Sequence, residues 1–259
     1  MALMSGRAIW KGFISFGEVN IPVNLHTAVR EERIQFHLLH KRDHARLRQQ
    51  MICAYEKVPV PSEAQAKGFE VEEGKYILVD PEELEQADPE AGREIEVHEF
   101  VGSERIDPIY LERAYYLGPE AQAKGYEALA AALAEMGAAG ICTWTMRKRS
   151  YLGALQSTGK ALRLNAMRYA DEVVSARTLE LQKIALSEKE LKIGINLINQ
   201  LTVPFQPGKF EDEHQKRLQA LIDKKARGEK IAVLRPRRLK ATEPDKLLQV
   251  LEASLKKVA

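Results

Sequence analysis

Residues 7–16 carry a period-two pattern that restricts the possible folds of this chain more than any other feature. The run Arg-Ala-Ile-Trp-Lys-Gly-Phe-Ile-Ser-Phe is dense in aromatic and β-branched residues at both alternating positions. Such a run predicts a β-strand that is buried on much of both faces. Gly17, Asn20 and Pro22 then predict a turn that leads into a second strand over residues 23–29.

Six more short strands are predicted over residues 76–79, 95–101, 114–117, 141–146, 152–155 and 161–168. Many short strands with irregular connections favour an antiparallel barrel or sandwich over a parallel α/β sheet, and we expect the barrel. The chain has 259 residues, of which 45% are hydrophobic, so it can bury a sizeable core in one or two domains.

Helix boundaries are marked by capping residues. Asp80 followed by Pro81 predicts the start of a short helix, and the Ala-rich residues 120–136 predict a longer one. Ser187 and Glu190 form a capping box, which predicts a helix that ends before Pro204. Residues 211–227 predict a further amphipathic helix. The fold class is therefore mixed β and α, with a barrel core over residues 1–186 and a helical arm over residues 187–228.

The C-terminal region, residues 229–259, is predicted to be a basic linker followed by an amphipathic helix. The linker is rich in arginine up to residue 243, and the helix over residues 244–259 has an apolar stripe. An isolated helix of this length is marginal in water, so the stripe predicts docking onto a partner. The predicted partner-binding residues are Leu247, Leu248, Leu251 and Leu255, with Val258 on the same face.

Charge is distributed unevenly along the chain, although the formal net charge is only +2. Residues 58–135 carry 6 basic and 19 acidic side chains, whereas residues 136–170 carry 6 basic and no acidic ones. Segregation of this kind predicts one acidic and one basic face, and a basic face attracts polyanions. A solvated surface whose charges balance after folding is the alternative.

Common signatures of enzymes, secretion and membrane insertion are missing from the sequence. Phosphate-loop, dinucleotide-binding, nucleophile-elbow and zinc-protease motifs do not occur, and we expect no catalytic residues and no cofactor. The apolar runs are too short to span a membrane, and the N-terminus does not resemble a secretory signal. With only two cysteines the chain is predicted to be cytosolic.

His37, His40, His44 and Cys53 form the densest group of metal-binding residue types. They are interspersed with basic residues and lack paired C-x-x-C ligands, so we predict no metal site and interpret the histidines as part of a polar, basic loop. Lys11 precedes a glycine, as a nucleotide-accepting lysine does in some enzymes. No acidic metal ligands accompany Lys11, and we expect a structural or phosphate-facing role for it.

Two basic clusters are the candidate nucleic-acid contacts. Each flanks or interrupts predicted strands, where alternating positions can present a row of donors to phosphate oxygens. No helix-turn-helix or zinc-finger pattern accompanies them, so reading of base edges is not indicated. The predicted DNA-binding residues are Lys41, Arg42, Arg46 and Arg48 in the first cluster, and Arg147, Lys148, Arg149, Lys160, Arg163 and Arg168 in the second.

Ordered motifs over residues 7–230 resemble the bacterial Ku proteins. The run from Arg7 to Gly17 and its continuation to Val23 resemble the opening of that family. Further matches follow in the family's order at residues 36–41, 67–70, 74–76, 106–110, 115–117 and 169–173. One departure is that many relatives carry a C-x-x-C pair where this chain has Cys53-Ala54-Tyr55-Glu56.

The resemblance implies a non-enzymatic homodimer that encircles and bridges double-stranded DNA ends in non-homologous end joining, a pathway of double-strand break repair. It implies a β-barrel core with a DNA-encircling bridge, C-terminal helical arms and recruitment of an ATP-dependent end-joining ligase of the ligase D type. A cytoplasmic, nucleoid-associated protein is expected. An enzyme that processes DNA ends is one alternative, and a strand-rich RNA-binding module with Trp144 and Tyr151 as stacking residues is another.

Overall fold

A computed structural model describes residues 7–90, 92–120, 123–180 and 187–228. Nine strands and four α-helices lie in this part of the chain. The strands are β1 (Trp10–Phe16), β2 (Val19–Thr27), β3 (Lys67–Glu72), β4 (Lys75–Val79), β5 (Glu94–Gly102), β6 (Leu111–Pro119), β7 (Ala138–Met146), β8 (Arg149–Ser157) and β9 (Leu162–Met167). The helices are α1 (Pro81–Ala87), α2 (Ala123–Met136), α3 (Glu188–Leu201) and α4 (Glu213–Ala226).

Seven strands close into a barrel in the order β1-β2-β6-β9-β8-β7-β5. Six of the strand contacts are antiparallel, and the seventh, between β1 and β5, is parallel and closes the barrel. The predicted mixed fold with a barrel core is confirmed. The parallel contact differs from the all-antiparallel expectation because a long excursion, residues 28–93, separates β2 from β5 and lets β5 run in the same direction as β1.

The barrel interior is filled by alternate side chains of its strands, and α2 packs against it. Ile14, Leu25, Ile95 and Leu164 are fully buried there. The hydroxyl group of Tyr126, on α2, donates to the Leu117 carbonyl and accepts the Leu162 N–H at 2.7 Å. One helix residue therefore links two barrel strands, and burial raises the pKa of its phenol.

Two predictions about the strands were wrong in detail, and one strand was not predicted. Strand β1 is buried on one face only, since Lys11 and Phe13 are exposed. The second strand begins at Val19 and includes Pro22, which lies opposite Phe13, because the turn itself is short. Strand β3 was missed, although Phe69 and Val71 alternate with Glu70 and Glu72 as in a strand, and all its side chains are exposed in the structure.

The excursion contains a ribbon over residues 38–60, the β3–β4 hairpin and α1. Helix α1 begins after Asp80, as predicted, and the Asp80 N–H donates to the Glu83 carboxylate at 2.9 Å. Both ends of the excursion lie at one end of the barrel, after β2 and before β5. The start of β1 and the β7–β8 turn lie at this same end, as the strand register requires.

The chain divides into two compact units, one with residues up to Glu31 and His37–Ser175, the other with Glu32–Phe36 and the chain from Ala176. In the second unit the predicted capping box of α3 is present, with the Glu190 N–H donating to the Ser187 hydroxyl. Asp212 caps α4, and the Gln215 side chain donates to the Glu32 carbonyl at 2.6 Å. None of the described helices has the length and apolar character needed to cross a membrane.

Candidate nucleic-acid interface

The β7–β8 turn presents three consecutive cations at one end of the barrel. Met146 pairs with Arg149, so Arg147 and Lys148 form a two-residue hairpin loop, and their φ angles are 54° and 61°. Two positive φ angles define a type I′ turn, which normally selects Asn, Asp or Gly because larger side chains are strained there. The chain keeps two long cationic side chains at these positions instead.

The three cations of this turn differ in their surroundings. The Lys148 ammonium lies 2.8 Å from the Asp88 carboxylate and 3.2 Å from that of Glu85. Its hydrogen bond to Asp88, followed by that to Glu85, raises the pKa of Lys148. Arg147 and Arg149 have no ion-pair or hydrogen-bond partner for their side chains among the described residues, which leaves both guanidinium groups open to an anion.

Arg163 and Arg168 are engaged within the barrel. The Arg168 guanidinium donates to the backbone carbonyls of Ile109 and Leu111, at 2.8 Å and 2.9 Å. The Arg163 guanidinium donates to the Gln156 side chain at 2.9 Å. These contacts hold both arginines in the barrel wall, so each has a structural role whether or not it also meets phosphate.

The second predicted cluster is split between the two ends of strand β8. Arg149 begins β8, whereas Lys160 lies in the turn after Ser157, the last residue of β8. At 3.3 Å per residue the two ends of this strand are roughly 26 Å apart. Lys160 lines a cleft of about 1170 Å³ with Arg7 and Arg30, which sequence reasoning missed because each is an isolated cation in the sequence.

The first predicted cluster lies on the ribbon of the excursion. Lys41, Arg42 and Arg48 are exposed and have no side-chain partner within the described ranges, while the Arg46 guanidinium lies 3.2 Å from His37 Nδ1. The ribbon thus carries cations that project from the protein without a compensating carboxylate contact. Such cations can neutralise backbone phosphates without reading bases.

Two turns of the ribbon, thirteen residues apart, share the same backbone hydrogen bond and the same positive φ angle. The N–H of His44 donates to the His40 carbonyl at 2.9 Å, and that of Lys57 to the Cys53 carbonyl at 3.0 Å. His44 and Lys57 both have positive φ, of 58° and 60°. The repeat escaped sequence analysis because the side chains of the two turns differ.

Metal-ligand residue types are dispersed in the ribbon. His40 Nδ1 lies 2.8 Å from the Asp43 carboxylate, and backbone N–H groups of Glu56 and Tyr55 lower the pKa of the Cys53 thiol. Across the described ranges no three His, Cys, Asp or Glu side chains are grouped as metal ligands.

The predicted partner-binding residues Leu247, Leu248, Leu251 and Leu255 lie outside the described residues.

Comparison with known proteins identifies the family. The family described as Ku, Ku70/Ku80 beta-barrel domain, matches residues 15–193. The chain is 70% identical to Non-homologous end joining protein Ku 2 of Geotalea uraniireducens (strain Rf4), over 99% of this chain and all of the relative. The chain belongs to the Ku family. The match to Ku begins in β1 and reaches α3, so it includes the excursion and the β7–β8 turn.

Other members of the Ku family are more distant and still match over nearly their whole length. Non-homologous end joining protein Ku of Solibacter usitatus (strain Ellin6076) is 36% identical, over 96% of this chain and 92% of the relative. Non-homologous end joining protein Ku 1 of Geotalea uraniireducens (strain Rf4) is 35% identical, over 98% of each chain. The resemblance predicted from the sequence motifs is confirmed.

Proposed function

We propose that this protein binds double-stranded DNA ends in non-homologous end joining, as a non-enzymatic homodimer whose ring encircles the duplex and bridges two ends. The observation that carries this proposal is the match to proteins named for non-homologous end joining over nearly the full length of both chains. The Lys and Arg side chains of the ribbon and of the β7–β8 turn are suited to binding the phosphate groups of DNA. Its site of action is the cytoplasm, at the nucleoid.

Binding is to phosphate and independent of sequence. The predicted contacts are Lys and Arg side chains, which position a protein on the DNA backbone and carry no base information by themselves. The logarithm of the affinity therefore falls with the logarithm of salt concentration, by roughly 0.9 per phosphate neutralised. Replacement of Arg147, Lys148 and Arg149 by Ala is expected to weaken binding alike for duplexes that differ in sequence and share the same ends. Gel shifts with two unrelated sequences at several salt concentrations test this, and a strong preference for one sequence would contradict it.

An RNA-binding module is disfavoured by the surroundings of its candidate stacking residues. Trp144 is only 3% exposed, and its ring stacks on Tyr151 with the centroids 5.1 Å apart. A ring that is already stacked and buried does not offer a face to a splayed base. A single-stranded RNA probe in the same gel shift separates the two functions, since RNA-specific binding would refute the DNA proposal.

Dimerisation is supported by apolar surface that the single chain exposes. Leu191, Ile195, Ile198 and Leu201 line one face of α3, and each is about half exposed or more. A two-fold interface buries the same stripe on both copies. Light scattering is expected to give about twice the chain mass of 29.2 kDa.

A matched pair of variants tests which face of α3 mediates dimerisation. Ile198→Glu places a charge in the apolar stripe and is expected to shift the protein toward monomer. Asn196→Glu adds the same charge to a polar position of α3 and is expected to leave the dimer intact. A wild-type monomer that still binds DNA ends at micromolar concentration would contradict the ring.

We assign recruitment of the end-joining ligase, of the ligase D type, to the helix that the sequence predicts over residues 244–259. The support is the apolar stripe of Leu247, Leu248, Leu251 and Leu255 behind a basic linker. Docking of this stripe on its own dimer is the alternative. Deletion of residues 244–259 is expected to abolish stimulation of the ligase and to leave dimerisation and end binding intact. Leu251→Glu should repeat the loss, with Gln249→Glu as the control, whereas loss of the dimer would show that the tail is structural.

A further inference from the structure

A small basic pocket lies at the end of the barrel where β1 and β5 begin and β7 ends. It has a volume of about 380 Å³, and its lining includes Trp10, Lys11, Arg93, Arg147 and Lys148. Four of these five residues are cations, and no carboxylate is among its described lining residues. A concave site of this size suits a small ligand or the end of a chain.

Two of the four cations are uncompensated. Lys11 pairs with Glu120 at 2.8 Å, and Lys148 pairs with Asp88 and Glu85. Arg93 and Arg147 have no side-chain hydrogen bond or ion pair with any described residue. A planar guanidinium group can donate two parallel N–H hydrogen bonds to the oxygens of one carboxylate or phosphate group.

The backbone holds both arginines at the pocket. The Arg93 carbonyl accepts the Phe13 N–H at 2.8 Å, at the parallel contact that closes the barrel. Arg147 is held in a two-residue turn with positive φ, a strained conformation for a long side chain. Strain that persists at such a turn points to a function for the side chain it displays.

We propose that this pocket binds a phosphate monoester, carried either by the end of a DNA strand or by a free nucleotide. Binding of a phosphate at the end of a DNA strand rests on the proposed function, which this inference deepens. The phosphate sits between the guanidinium groups of Arg93 and Arg147, while Lys11 and Lys148 line the pocket with their charges paired to Glu120, Asp88 and Glu85. Trp10 forms an apolar wall beside it.

The shape of the site favours a terminal phosphate over an internal one. Phosphodiesters within a duplex lie along a convex surface, where they meet projecting cations such as those of the ribbon. A concave pocket instead admits a group that ends a chain, and a monoester carries more negative charge than a diester. The two uncompensated guanidinium groups of Arg93 and Arg147 can meet two oxygens of such a group.

The test compares blunt duplexes of one sequence that end in a 5′-phosphate, a 3′-phosphate or hydroxyl groups only. Wild-type protein is expected to bind one phosphorylated end about tenfold tighter than the hydroxyl end, as for one charge-assisted contact. The double variant Arg93→Gln/Arg147→Gln is expected to lose this preference. Arg149→Gln, which removes a neighbouring cation that does not line the pocket, is expected to weaken all three duplexes alike and to keep the preference.

A second arm distinguishes the two sources of the monoester. Deoxyadenosine 5′-monophosphate is titrated into DNA-free protein by ligand-observed NMR, with adenosine as the uncharged control. Nucleotide binding that the double variant loses, without any end preference, supports the pocket and assigns it to free nucleotides.

Equal binding of all duplex ends together with no nucleotide binding overturns the pocket proposal while leaving end binding in place. Equal binding of linear and closed circular DNA overturns the proposed function instead. The two failures are therefore separable, and circular dichroism of each variant confirms that it folds.

Discussion

The ammonium group of Lys148 is held 2.8 Å from the carboxylate of Asp88, so an acidic side chain occupies the place that a phosphate oxygen would take on this cation. Asp88 follows α1 directly, and Glu85 of α1 is the second carboxylate at 3.2 Å. In the proposed interface the end of α1 would therefore compete with DNA for one cation of the β7–β8 turn.

Asp88→Asn is expected to tighten DNA binding roughly threefold at low salt, because it removes a negative charge beside the proposed phosphate site and leaves Lys148 with Glu85 alone as its carboxylate partner among the described residues. Glu82→Gln removes one charge from the same helix, and Glu82 does not contact Lys148, so a smaller gain is expected. Fluorescence anisotropy with a labelled duplex measures both variants. Equal gains for the two would show that overall charge, rather than the contact with Lys148, controls affinity.

The β7–β8 turn is expected to trade stability for binding. Arg147→Asn/Lys148→Gly places the preferred residues of a type I′ turn at the two positive φ positions. The free energy of unfolding is expected to rise by about 1 kcal/mol, because the strain of two long side chains is relieved. DNA affinity is expected to fall at the same time. Urea unfolding and anisotropy check the two effects, and Arg149→Gln is the control that lowers affinity without raising stability.

Closure of the barrel depends on the close approach of β1 and β5 at Gly12. A Cβ atom at this position would lie 2.1 Å from the Arg93 carbonyl oxygen and 2.3 Å from the Trp10 ring. Gly12→Ala is therefore expected to lower the free energy of unfolding by about 1–3 kcal/mol through overpacking.

Gly92→Ala is the matched control for this substitution. A Cβ at Gly92 meets nothing within 4 Å, and its φ is not positive, so a change within about 0.5 kcal/mol is expected. Urea unfolding of both variants provides the comparison. Equal stability of the two would mean that the β1–β5 contact tolerates a wider spacing.

The two cysteines are expected to differ sharply in reactivity. Backbone hydrogen bonds from Glu56 and Tyr55 lower the pKa of Cys53, which increases its thiolate fraction at neutral pH. Burial raises the pKa of Cys142 to about 12, and its thiol donates to the Gly153 carbonyl. Titration with a chromogenic disulfide should modify one thiol quickly in the native protein and the second only after unfolding. Fast modification of both would contradict the burial of Cys142.

Local signals predicted much of the fold. The alternation over β1, the cap at Asp80 and the capping box at Ser187 each depend on residues within a few positions, so sequence alone reveals them. The parallel contact between β1 and β5 could not be predicted, because it joins segments that the whole excursion separates.

Site prediction was limited for the same reason. Sequence proximity suggested that Lys160 and Arg149 form one cluster, yet strand β8 separates them along its whole length. Arg168 was predicted to contact DNA because it is a cation beside a predicted strand. Its guanidinium group instead donates to backbone carbonyls that lie 57 and 59 residues earlier in the chain. Arg93 was overlooked because only the folded barrel brings it beside the β7–β8 turn.

End dependence is the central claim, and competition between linear and circular DNA tests it most directly. A labelled blunt duplex is bound by the protein, and one plasmid is added as competitor, either closed or cut once to give two ends. A ring that loads from ends predicts that the cut plasmid displaces the probe at a concentration at least tenfold lower than the closed plasmid. Equal competition by the two forms would contradict the account.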